Sequence, residues 1–239
     1  MVIRPALAVG LILLVGLAGC GGGSSAESPS PTSPTTPAAE LLSMPTSNGN
    51  AEQVIAPGSY RIPSSVWSAA EFTVTFPEGW TVQYGHVYHQ NDQQGETAEF
   101  YAIDLDEIYT DSCHGEGIPQ ALGPGVDDLV TALLAQKGPV ASEPVETTLG
   151  GYPATRIDLA IPKGLDLADC RLADDGVLGL QLWYSAPADK YFVLQPSGAA
   201  SIYVLDVDGD RQVFLTQQFS PAREHRAEVQ DVLDSIRVG

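Results

Sequence analysis

The chain has 239 residues, 30 of them acidic and 11 basic, for a net charge of −19. That balance excludes a generic nucleic-acid binder and a basic patch for anionic lipid headgroups, because both need a positive footprint. With 44% apolar and 17% charged residues, the composition is that of a globular protein and not of a disordered chain.

The first segment reads MVIRPALAVGLILLVGLAGC. Arg4 and the start amine form a positive head, and Pro5 to Leu17 is an uncharged, mainly apolar run. Thirteen residues suit a secretory signal and fall short of the about 20 needed to span a bilayer. The run ends Leu17-Ala18-Gly19-Cys20, which resembles the lipobox of bacterial lipoproteins. The resemblance implies a signal peptide over residues 1–19, removed before Cys20, with Cys20 as the lipid-modified residue. Two or three acyl chains would hold the protein on the membrane from the extracytoplasmic side. Residues 20–53 then read as a linker: twelve of the fourteen residues from Ser24 to Pro37 are Ser, Thr or Pro. Such a stretch buries too little apolar surface to offset its ordering entropy. Leu41-Leu42 is a small apolar island within it, and the Thr/Pro run has the composition of glycosylated stalks.

From Val54 to Gly239 the pattern is that of one globular domain. Ser59–Ile62 follows a Pro57-Gly58 turn. Phe72, Val74 and Phe76 alternate on one face of a strand that ends at Pro77-Glu78-Gly79-Trp80. Thr81–Tyr88 reads as one further strand, and Glu99–Tyr109 alternates again. The period then changes. Val126, Leu129, Val130, Leu133 and Leu134 recur at helical spacing, with Asp127 and Asp128 at the start and Gly138 beyond the end. Val145–Leu149, a turn at Gly150-Gly151, and Ala154–Ile161 form a hairpin pattern. Gly179–Ser185 is a further strand. Ser201–Val207 and Arg211–Phe219 flank Asp208-Gly209, a two-residue hairpin signal. Ser220-Pro221 offers a helix start, and Val229, Val232, Leu233 and Ile236 a final amphipathic helix. Short Gly/Pro turns between strands favour antiparallel pairing. The expected class is α+β, a central antiparallel sheet with helices packed on its faces.

The order of FTVTFPEGW, the helix GVDDLVTALL, GGYPATRIDLAIP, a late hairpin and a last helix ending Asp234-Ser235-Ile236 resembles secreted actinobacterial lipoproteins with a PsbP-like, LpqN-like sandwich. The resemblance covers about Ile55 to Val238. It implies a sandwich fold and a role as an accessory, binding or assembly subunit, and it carries over no catalytic residue.

Motif chemistry is sparse. The chain has no Gly-x-Ser-x-Gly elbow, no phosphate-binding loop and no His-Glu-x-x-His. His86 and His89 are three apart, which places their side chains on opposite faces of a strand and argues against a ligand pair. His114 and His225 stand apart from them in sequence. Eight acids between Asp92 and Glu116, with no base among them, read as a solvated face, with a cation surface as the other reading. Asp206-Val207-Asp208-Gly209-Asp210 reads as a turn, because six positions beyond Gly209 stands Leu215 where a calcium loop needs Glu. Cys113 and Cys170 are the two cysteines after Cys20. Export to an oxidising compartment favours a disulfide between them over free thiols or a metal site with His114. The expected function is a membrane-anchored, non-enzymatic binding or assembly module of the cell envelope. It would be tethered to the membrane by lipid and engage an envelope protein or small ligand, with no nucleic acid, no cofactor and no metal ligands assigned. The alternative is a secreted hydrolase with a dispersed active site.

Overall fold

The computed structural model describes residues 40–45, 51–64, 68–83, 86–91, 95–103, 105, 107–114, 120–170, 176–185, 190–196, 198–219 and 225–239. Residues 1–19, read above as a signal peptide, Cys20, and Ser220-Pro221, read as a helix start, lie outside these residues. In chain order the strands are β1 (Leu42–Ser43), β2 (Gln53–Val54), β3 (Gly58–Ile62), β4 (Phe72–Phe76), β5 (Trp80–Gln83), β6 (His86–Asn91), β7 (Gly95–Ile103), β8 (Glu107–Ile108) and β9 (Gln120–Ala121). After helix α1 (Val126–Ala135) come β10 (Val140–Ala141), β11 (Val145–Leu149), β12 (Tyr152–Ala160), β13 (Leu180–Ser185), β14 (Lys190–Leu194), β15 (Ala199–Val207) and β16 (Asp210–Gln218). Helix α2 (Arg226–Ser235) and β17 (Arg237–Val238) end the chain. No helix among the described residues is long and apolar enough to cross a membrane.

The largest sheet has nine strands in the order β10-β12-β15-β16-β7-β6-β5-β2, with β11 also paired to β12. Every pairing in it is antiparallel. Alternation along its central strands supplies two cores. Tyr203, Leu205, Phe214 and Phe100 enter one, while Ile202, Val204, Val213, Leu215 and Ile103 enter the other. Side chains one residue apart leave opposite faces of a strand, so the sheet is buried on both sides.

A second sheet, β1-β3-β4-β17, supplies Tyr60, Phe72, Val74 and Phe76 to the first core, and α2 adds Val229, Val232, Leu233 and Ile236. Phe72 meets Phe214 edge-on at 5.0 Å, which locks the two sheets face to face. The second core is closed by Leu129 and Leu133 of α1, by the β13–β14 hairpin with Trp183 stacked on Phe192, and by Cys113 and Cys170.

The expected α+β class is therefore corrected. About half of the described residues are in strands and 15% in helix. The covering layers are chiefly a second sheet, a hairpin and loops, to which each ten-residue helix adds one apolar stripe. The span Thr81–Tyr88, expected as one strand, is two antiparallel strands with Thr81 opposite Tyr88 and Val82 opposite Val87. The folded region also reaches back into the stretch read as linker. Leu42 pairs in parallel with Tyr60, and its side chain lies over Gly58 against the first core.

Other elements follow their sequence signals. Asp208 (φ 57°) and Gly209 (φ 99°) both take positive φ, as the two-residue turn between β15 and β16 requires. Asp206 braces the turn by accepting the Gly209 N–H at 2.8 Å. Buried Arg211 donates to the carbonyls of Leu105, Gly123 and Gly125, fixing the chain that leads into α1. At the other end of α1, Gln136 Nε2 donates to the carbonyls of Tyr109 (2.8 Å) and Leu182 (2.7 Å).

Candidate metal centre and adjoining groove

The β5–β6 pairing sets Trp80 opposite His89. The first turn of α2 lies against this pair. Trp80 Nε1 donates to Glu228 Oε1 at 2.7 Å, and the ring of His225 lies 4.3 Å from that of His89, centroid to centroid. His225 sits at the N-cap of α2 and Glu228 lies three residues on, in its first turn, which brings His225 Nδ1 within 3.4 Å of Glu228 Oε2. One ligand atom from each of His89, His225 and Glu228 lies within 4.8 Å of the other two, and all three residues are half-buried. Gly79 has a positive φ of 96°, and a Cβ there would stand 2.8 Å from His89 Nε2. The glycine of the Pro77–Trp80 turn thus makes room for the imidazole.

The electrostatics suit a neutral imidazole. Burial pushes the His89 pKa down; the Glu228 carboxylate pulls it up, His225 adds to the fall, and the net shift is downward. Two imidazole nitrogens and one carboxylate oxygen form a donor set for borderline divalent cations of the zinc type. The Trp80 N–H is the kind of outer hydrogen bond that orients a ligating carboxylate.

Along another side of α2 runs a groove of about 570 Å³, against β12, β15 and β16. Its polar lining includes Arg156, Asp158, Ser201, Tyr203, Arg226 and Gln230. Arg156 Nη2 pairs with Asp158 Oδ2 at 3.1 Å, and the Ser201 hydroxyl donates to Asp158 Oδ1 at 2.7 Å. Burial raises the Tyr203 phenol pKa, against the pull of Arg156.

Cys113 and Cys170 form a disulfide with Cα atoms 4.5 Å apart. It joins the turn after β8 to a short 3-10 turn, Leu167–Asp169, and both cysteines are buried in the second core. Cys20 lies outside the described residues. His86 and His89 do point to opposite faces. His86 is buried and stacks on Tyr101 at 5.1 Å, away from the metal-type cluster. Of the acidic stretch, Asp92, Asp104, Asp106 and Glu116 lie outside the described residues. Glu99 departs from a solvated face: it is buried and accepts from Gln217 Nε2 at 3.1 Å.

The cluster was hidden in the sequence because 136 positions separate His89 from His225. The local trace was His225-x-x-Glu228 at the start of a helix, which gives two of three donors and no partner strand. No family model matches the chain, and no curated protein matches it.

Asp111 caps the disulfide turn. Burial raises its pKa, but the N–H groups of Cys113 and His114, both at 3.1 Å, and the His114 ring outweigh this and lower it. A carboxyl held below its ordinary value of about 4 binds fewer protons folded than unfolded. Its stabilisation is present above that value and fades as pH falls through the folded pKa. Asp111→Asn should therefore flatten the acid limb of the stability curve between about pH 5 and pH 2 in urea titrations. An unchanged acid slope would show that these hydrogen bonds carry no net stability.

Proposed function

We propose that this chain is a lipid-anchored, extracytoplasmic binding module of the cell envelope, held to the membrane through Cys20, and that it works by binding and not by catalysis. The address rests on the lipobox-like Leu17-Ala18-Gly19-Cys20 and is supported by the Cys113–Cys170 disulfide, a bond that belongs with oxidising compartments. The observation that carries the binding role is the groove beside α2. It offers two guanidinium groups, a carboxylate, a phenol and apolar floor residues such as Val229 and Leu233 in one concave site.

Cell fractionation of a Cys20→Ala variant tests the anchor. The variant is expected to leave the membrane fraction and lose its acyl label, and a protein that stays bound and labelled refutes the tether. Crosslinking in intact cells, read by mass spectrometry, tests the binding role. Crosslinks from groove residues to one envelope component support it, and crosslinks confined to other faces oppose it.

One observation favours the second reading, a secreted hydrolase. The His225–Glu228 pair beside His89 is a base–carboxylate arrangement of the kind that activates water. Turnover of p-nitrophenyl acetate by the wild-type chain, lost in His225→Gln, would replace the binding reading with this one.

A further inference from the structure

We infer that His89, His225 and Glu228 bind one divalent transition-metal cation of the zinc class, which clips the first turn of α2 to β6. The inference is independent of the lipid tether and of whatever occupies the groove. Three features of the site carry it.

The first is convergence. Ligand atoms from a strand and a helix lie within 4.8 Å of one another without an ion between them. Zinc holds imidazole nitrogen and carboxylate oxygen at about 2.0–2.2 Å, so closing the three donors around an ion asks each side chain to move by about 1 Å. The second is support from the surroundings. The Trp80 N–H fixes one oxygen of Glu228 at 2.7 Å and leaves the other on the side of His225. Gly79 leaves the space that His89 fills, where a Cβ would stand 2.8 Å from Nε2. The third is chemistry. Two imidazoles select against calcium and magnesium, which take all-oxygen shells, and favour a borderline ion. Three protein ligands leave one tetrahedral position for water or for a group brought by a partner. One carboxylate against a divalent ion leaves a local charge of +1, which the protein's net charge of −19 accommodates.

The test uses the full chain, purified in detergent and stripped with EDTA. Zinc is titrated in equilibrium dialysis at physiological salt, with excess Mg²⁺ and Ca²⁺ present to occupy surface carboxylates. The expected result is saturation at one Zn²⁺ per chain, with a rise in melting temperature that tracks occupancy. Glu228→Gln keeps an oxygen that can accept the Trp80 N–H while losing the anionic ligand, so it tests the site without removing that brace. It should weaken zinc binding by about 100-fold or more, as should His89→Gln and His225→Gln. His114→Gln, on the disulfide turn, should bind as wild type does. Co²⁺ in place of zinc should give visible d–d bands of a four- or five-coordinate nitrogen–oxygen site, absent in Glu228→Gln. Uptake that is equal in wild type and in a folded Glu228→Gln variant overturns the inference, because it would place the zinc on surface carboxylates. Failure of the wild-type chain to bind zinc stoichiometrically overturns it as well.

Discussion

Replacing Cys113 and Cys170 together by alanine is expected to destabilise the protein by about 4 kcal/mol, the chain-entropy value for the 57-residue separation that the bond spans. For a domain of this size that corresponds to a fall in melting temperature of about 10 °C. The bond's position makes the effect local as well as global. Both cysteines are buried beside Leu129, Leu133, Leu180 and Leu182, so they pin two loops onto the second core. Neighbouring backbone bonds converge on the same place: Ser112 N–H to Lys137 O at 2.9 Å, and Gln181 N–H to Ser112 O at 2.9 Å. In the open form these bonds must hold β8, β13 and the end of α1 together without the covalent link. Hydrogen exchange at Ser112 and Gln181 should therefore accelerate before the rest of the nine-stranded sheet does. Thermal unfolding of the oxidised wild type beside the double variant measures the stability term. A difference under about 1 kcal/mol would mean that the denatured chain is already constrained between these positions, and that the entropic account fails here.

Where the sequence carried a period, it was legible. Phe72, Val74 and Phe76 alternate and are all buried; Val126 to Leu134 recur at helical spacing, and α1 forms over Val126–Ala135. Asp208-Gly209 supplied the positive-φ residues that its turn demands, and the β15–β16 hairpin closes there. Elements without a period were missed. β1 and β17 are two residues each, too short to alternate, and exist through their pairing with β3 and β4. β14, Lys190–Leu194, is a nearly continuous apolar run that local pattern cannot assign, and it is a strand because β13 pairs with it. Missing these made two amphipathic helices look like the covering layers of the sheet, when strands do most of the covering. Thr81–Tyr88 looked like one strand because Tyr84-Gly85 is not among the strong two-residue hairpin signals. The same limit hid the candidate site. The metal-type donors come from a strand and a helix that meet through tertiary packing, and a linear scan weighs each histidine by its neighbours in sequence. The disulfide escaped this limit, because after Cys20 two cysteines leave one intrachain pairing to consider.

Trp80→Ala is expected to destabilise the protein by about 3–5 kcal/mol, the range for removing a buried aromatic ring. Trp80 is fully buried, and it packs on Phe76 at 5.3 Å and edge-on against His89 at 6.0 Å. Loss of the ring would open a cavity where β4, β5 and α2 meet. Trp80→Phe separates packing from hydrogen bonding. It keeps most of the aromatic volume and removes the N–H that reaches Glu228 Oε1. An acceptor stripped of its donor in a half-buried site costs about 1–3 kcal/mol. The double-mutant cycle of Trp80→Phe with Glu228→Ala, which removes the acceptor altogether, then isolates the coupling between the two side chains. A coupling of about 1 kcal/mol or more would show that the core tryptophan holds the first turn of α2 by this bond, beyond the contact of Val229, Val232 and Leu233. Zinc titration of Trp80→Phe reads the other consequence. With Glu228 no longer held through Oε1, affinity should fall by about 10-fold to 100-fold, the effect expected of an orienting group one step removed from the ion. Stability lost with zinc affinity unchanged would make Trp80 a packing residue alone. Affinity lost together with the coupling energy would make it the residue through which the first core sets the geometry of the His89–His225–Glu228 site.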